Sequence, residues 1–137
     1  MSVLEITGYG YRKRDCKSVA LWFLNTYVSR YKIYLEICHR GLKHEKVHGY
    51  CDFTGKSYRP REFLIELDTY MPKELYIKTL LHELVHLRQW LNGSLRLHKG
   101  KMCYNLECVE DYDYEDQPHE IEARQQEKIL YLKYFDL

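Results

Sequence analysis

Apolar residues recur at helical spacing early in the chain. Between residues 15 and 29, Val19, Ala20, Phe23, Leu24, Tyr27 and Val28 share one face, which predicts a first helix with Asp15 as its N-cap. The period then falls to two. Residues 31–38 alternate around Ile33, Leu35 and Ile37, residues 62–67 hold Phe63, Ile65 and Leu67, and a weaker run lies at 46–53. Three strands are expected, with Gly41 and Gly55 as punctuation. Helical spacing returns after Pro72, with Leu75, Ile77, Leu80, Leu81, Leu84, Leu87 and Leu91 as the apolar stripe and Asn92-Gly93 as the stop. Residues 94–116 keep no period and read as an irregular loop or a short hairpin. Residues 118–134 read as a last helix, with Ile121, Ile129, Leu130 and Leu132 among its apolar positions. Helix, small sheet, helix, loop, helix is the order of an α+β domain, and 137 residues suffice for one such domain over 1–137.

Composition narrows the class. The apolar runs are far shorter than a membrane span, and residues 1–10 have neither a basic start nor an apolar signal core, so a cytoplasmic protein with no membrane partner is expected. Five cysteines, an odd number without a tight framework, suit reduced thiols. Cys38, Cys51, Cys103 and Cys108 lack the close spacing of a zinc knuckle. The formal charge of +1 is unevenly spread, with 12 Lys and Arg against 5 Asp and Glu in residues 1–61, and 9 against 15 in residues 62–137. Arg12, Lys13, Arg14 and Lys17 leave a nucleic-acid partner open, but the favoured reading is a basic half packed near an acidic one. The acidic run from Glu107 to Asp116 reads as a solvated loop. Thr54-Gly55-Lys56-Ser57 ends like a phosphate-binding loop, yet Tyr50 stands where its first glycine is needed and no helix pattern follows. It reads as a hairpin turn.

The chemistry lies in the stripe that begins at Leu80. Leu80-Leu81-His82-Glu83-Leu84-Val85-His86-Leu87 contains H-E-x-x-H, and on a helix residues four apart lie on one face about 5–6 Å apart. His82 and His86 can therefore offer two imidazoles to one zinc ion, with Glu83 beside them as a proton acceptor. A catalytic zinc wants a third protein ligand. His98 is one possibility, in Leu97-His98-Lys99-Gly100. A carboxylate in Pro118-His119-Glu120-Ile121-Glu122-Ala123-Arg124 is the other. If that segment is helical, Glu120, Ala123, Arg124 and Glu127 share a face and Glu122 points elsewhere.

The H-E-L-V-H of residues 82–86 and the later P-H-E-I-E-A of residues 118–123 resemble small metallopeptidase-like proteins, many encoded by phages, that carry H-E-x-V-H followed by P-W-E-I-E-A. These are similar to minimal gluzincins. The resemblance covers residues 72–127 and departs from the pattern at His119, where tryptophan is usual. It implies a zincin-like fold, a zinc cofactor, His82, His86 and Glu120 as metal ligands, Glu83 as general base, a peptide or protein substrate, and the host cytoplasm if the protein is phage-encoded. SprT-like proteases, with three histidine ligands and DNA-linked substrates, also resemble the first motif and favour His98.

The expected activity is zinc-dependent peptide hydrolysis, with Tyr112 or Tyr114 as donor to the developing oxyanion and residues 62–67 as the sheet edge on which a substrate strand lies. A catalytically silent zinc-containing binding module and a nucleic-acid-associated protease are the alternatives.

Overall fold

The computed structural model describes residues 2–10 and 12–136. The elements are β1 (Val3–Gly8), α1 (Lys13–Tyr27), β2 (Tyr34–Arg40), β3 (Gly49–Thr54), β4 (Glu62–Asp68), α2 (Lys73–Asn92), β5 (Leu95–His98), β6 (Lys101–Tyr104), β7 (Glu107–Cys108) and α3 (Pro118–Tyr134). This is an α+β fold. A strand that the sequence reading misses precedes the first helix, and the main sheet has four strands, in the order β1-β2-β4-β3, where three were expected. β1, β2 and β4 run parallel, and β3 is antiparallel to β4.

Register stacks the apolar alternation into rows across the sheet. Leu4, Leu35, Phe63 and Phe53 form one row, and Ile6, Ile37, Ile65 and Cys51 the next. Leu35, Ile37, Phe63 and Ile65 are fully buried in the core shared with α1 and α2, and each such side chain contributes roughly 1.5–3 kcal/mol. The third row is Gly8, His39, Leu67 and Gly49, and both glycines are required by crowding. A Cβ on Gly8 would stand 2.0 Å from the His39 carbonyl oxygen, at φ +86°. One on Gly49 would stand 3.0 Å from the Glu66 carbonyl oxygen and 3.2 Å from Thr79 Cγ2. Gly49 thereby lets β3 lie close against α2.

Several expectations are corrected. Asp15 is not the cap of α1, since Arg12 occupies that position; Asp15 lies in the first turn, 3.9 Å from Lys73 Nζ. Of the two readings of residues 94–116 the hairpin holds, as β5–β6, and β7 extends it into a second, three-stranded sheet followed by two short 3-10 turns, Val109–Asp111 and Tyr114–Asp116. Glu62–Asp68 is no edge: β4 is paired on both sides, and the edge strands are β1 and β3, of which β3 lines the cavity. α1 ends at Tyr27, and β2 and β3 each begin three residues later than expected, whereas the boundaries of the two later helices hold. Pro72 caps α2, Gly93 ends it at φ +85°, and α3 begins at Pro118. Gly55, at φ +76°, turns β3 back into β4, as a hairpin reading requires. All five cysteines are free. No helix among the described residues is long and apolar enough to cross a membrane.

The third row carries a buried polar chain. His39 Nδ1 donates to the Thr7 carbonyl at 3.1 Å, so its Nε2 is the acceptor for the Tyr76 hydroxyl at 2.6 Å. The Cys16 thiol, pushed up to about 11 mainly by burial, bonds to the same hydroxyl. Tyr76→Phe leaves His39 Nε2 without a donor and is expected to cost about 1–3 kcal/mol, measured by urea unfolding. Burial holds His39 below its ordinary 6.5, so unfolding takes up a proton in acid. That contribution is complete above about pH 6.5 and is lost as pH falls through the lowered value of the folded state. A wild-type stability unchanged between pH 7 and pH 5, with the His39→Gln protein showing the same profile, would contradict this assignment.

Candidate metal centre

α2 is buried on nearly every side, including its polar residues Thr79, Glu83, His86 and Gln89. His82 and His86 lie one turn apart with ring centroids at 4.8 Å and planes at 84°. α3 packs across them. Ala123 is fully buried at the crossing, where a larger side chain would hold the helices apart, and Glu120 lies in the first turn of α3, where the helix dipole favours a carboxylate.

Glu120 Oε1 meets both imidazoles, at 2.8 Å from His82 Nε2 and 3.2 Å from His86 Nε2. The far side of each ring is anchored. His82 Nδ1 donates to Glu127 Oε1 at 2.8 Å, and His86 Nδ1 donates to Gln89 Oε1 at 2.8 Å. Gln89 Nε2 in turn donates to the His119 carbonyl at 3.1 Å and to Glu122 Oε1 at 2.7 Å. With both Nδ1–H groups engaged, both Nε2 atoms are turned toward the same point, which is how outer partners prepare histidines for a cation. Among the described residues, His82, His86 and Glu120 form a group that could hold a metal ion, with ligand atoms within 4.8 Å of one another.

Electrostatics agree with this arrangement. Burial opposes charge on His82, but hydrogen bonds to Glu120 and Glu127 push it up to about 10. His86 moves up for the same reasons, against still deeper burial. Glu120 is held below the usual carboxylate range, because the two imidazole hydrogen bonds outweigh its burial. Protons thus occupy the positions that a cation would take. Glu83 differs: it makes no direct bond to the group, and burial pushes its carboxyl up, only partly offset by the nearby His86 and His82.

The group opens into a cavity of about 560 Å³. Its floor is α2, one wall is the edge strand β3 with the segment before it, the opposite wall is α3, and the β5–β6 hairpin closes one end. Of the two tyrosines expected near the site, Tyr114 lines the cavity and bonds to Glu120, and burial together with the Glu120 and Glu83 charges pushes its hydroxyl up to about 12. Tyr112 does not line it; its exposed hydroxyl donates to Glu107 Oε2 at 2.9 Å. His98 is exposed at the end of β5 and is not in the group. Glu122 is one step removed, held by Gln89.

The chain matches no family model, no curated protein and no solved structure. Its chemistry is read from its own geometry. Sequence reasoning overlooks Gln89 and the pairing role of Glu127. Gln89 had a signal, an amide at helical spacing from both His82 and His86, and Glu127 had one in its shared face with Glu120. His119, in contrast, is buried with its Nδ1 unpartnered among the described residues, its ring centroid 5.2 Å from that of His86.

Two outcomes follow for metal binding. Glu120→Ala should weaken binding of a divalent ion at least about tenfold, and Glu127→Ala about tenfold, while His98→Ala leaves it unchanged, as read by chelator competition. Because His82 otherwise keeps its proton up to about pH 10, affinity should climb with pH across the neutral range, by up to about tenfold per pH unit for each proton released. Calorimetry in buffers of different ionisation enthalpy counts those protons; a pH-independent affinity would place the ion elsewhere.

Proposed function

We propose that the protein is a zinc-dependent metallopeptidase with a zincin-like fold of the minimal gluzincin kind. One observation carries this reading: two imidazoles and a carboxylate converge from α2 and α3, while Glu83, between the two histidines in sequence, stays outside the group and faces the same cavity. A closed structural site would have no use for that carboxylate. Two nitrogens and one oxygen are a donor set suited to zinc with a position left for water or substrate. The resemblance of residues 82–86 and 118–123 to H-E-x-V-H and P-W-E-I-E-A supports the same conclusion, and the exposed position of His98 favours it over a three-histidine, SprT-like site.

When bound, zinc supplies Lewis acidity to a water molecule and to a peptide carbonyl. The chain supplies the rest. Glu83, made more basic by burial, accepts the water proton and later returns it to the leaving amine. Tyr114 presents a phenolic O–H to the developing oxyanion from the α3 wall. β3, as the edge of its sheet, offers unpaired backbone groups to an extended peptide or protein substrate. Free thiols suit a reducing compartment such as the cytoplasm.

The test is Glu83→Gln, which keeps shape and zinc but removes the proton acceptor. The zinc-loaded wild type should cleave unfolded polypeptides, and the variant should retain its zinc with kcat lowered roughly 10²–10⁴-fold. Full activity in the variant would remove the mechanism. Inactivity of the wild type on every unfolded chain would leave a silent zinc-containing binding module in its place.

A further inference from the structure

The floor of the cavity, α2, and its β3 wall run in the same chain direction. Gly49 lies against Thr79, Cys51 lies within reach of the Glu83 charge, and the Phe53 ring centroid is 5.0 Å from that of Trp90. Along β3 and α2 alike, the cleft passes from Thr79, past the metal-binding group, to Trp90. The free edge of β3 is also defined. The His48 carbonyl accepts from Asp68 N–H on the β4 side, whereas the Phe53 N–H turns outward and bonds to Asp52 Oδ1. By the alternation of an antiparallel ladder, Gly49, Cys51 and Phe53 present their backbone groups away from β4.

A peptide added antiparallel to this edge runs opposite to β3. Its N-terminal part lies at the Trp90 end, and the part after the scissile bond lies at the Thr79 end. The ends differ in chemistry. At the Trp90 end, Cys51, Trp90, Leu95 and Met102 form an apolar pocket one helical turn beyond His86, with His119 as neighbour. The other end carries Lys46, His48, Arg124 and Glu127, so that its apolar residues, Val47 and Leu75, stand among charged and polar neighbours. We infer that the enzyme cuts on the C-terminal side of a bulky apolar residue, whose side chain fills the Cys51–Trp90–Leu95–Met102 pocket. This rests on the peptidase reading and adds to it the substrate class and the residues that select it. Met102, half-buried on the hairpin, is the adjustable part of the pocket, since Trp90 and Leu95 also belong to the core.

The experiment is digestion of a proteome-derived peptide library by the zinc-loaded protein, with the new termini identified by mass spectrometry. Leu, Met and Phe should be enriched within two positions before the cut, with kcat/KM about 10–200-fold above matched Ala peptides. Met102→Lys should move the preference toward acidic side chains, and Met102→Ala toward larger rings. Enrichment of apolar residues after the cut, or wild-type profiles in both variants, would overturn the inference. If nothing is cleaved, the peptidase reading fails, and the pocket is tested by calorimetry with N-acetyl tetrapeptides ending in Phe or Ala. Tighter binding of the Phe peptide by about tenfold, lost in Met102→Lys, supports the pocket without turnover; equal affinities refute it.

Discussion

A helix buried on nearly every side can carry polar groups only where neighbours complete them, because each unpaired one costs kilocalories in a dry interior. α2 carries Thr79, Glu83, His86 and Gln89 in that condition, with His82 close behind. Thr79 solves the problem locally, by donating to the Leu75 carbonyl. His82, His86 and Gln89 solve it through α3. That helix buries few apolar side chains, chiefly Ala123 and Leu130, so its register on α2 is set as much by Glu120, Glu127 and Glu122 as by hydrophobic contact. The bonds that build the fold here are the bonds that build the site.

The two histidines are equivalent in spacing and unequal in support. A carboxylate backs His82, and an amide that is itself tied to α3 backs His86. An anionic partner makes an imidazole more electron-rich; a neutral one holds it in place without adding charge. Of the two buried carboxylates among the described residues, Glu120 is drawn down by its imidazole partners, whereas Glu83, which faces the cavity, is pushed up by burial. Placement and protonation thus separate the group that would hold a cation from the group that would move a proton.

Much of this is legible in the sequence where signals are local. α2 is announced by its apolar stripe between Pro72 and Asn92-Gly93, and Glu120, Ala123, Arg124 and Glu127 fall on one face once residues 118–134 are taken as helical. Strand order is not local. β1 is a six-residue run that becomes a strand by pairing with β2 across the whole of α1, and β4 becomes central only because β1 and β2 lie on one side of it and β3 on the other. The β5–β7 strands have four, four and two residues and bury little, so no period develops over them. Tyr112 and Tyr114 are indistinguishable as residues; they separate only because a turn directs one at the cavity and the other at Glu107.

The crossing of α2 and α3 also bears on how long the molecule lasts. His86 and Glu120 are 34 residues apart, and an ion shared between them would close that stretch, the β5–β7 sheet included, into a loop. By the loop-entropy reasoning used for disulfides, such a closure is worth on the order of 3–4 kcal/mol. The metal would then serve as a removable staple in a chain whose cysteines are all free. Without it, α3 would be held to α2 chiefly by the His82, His86 and Gln89 hydrogen bonds and by Ala123 and Leu130, so that losing the metal and loosening the last helix become linked events.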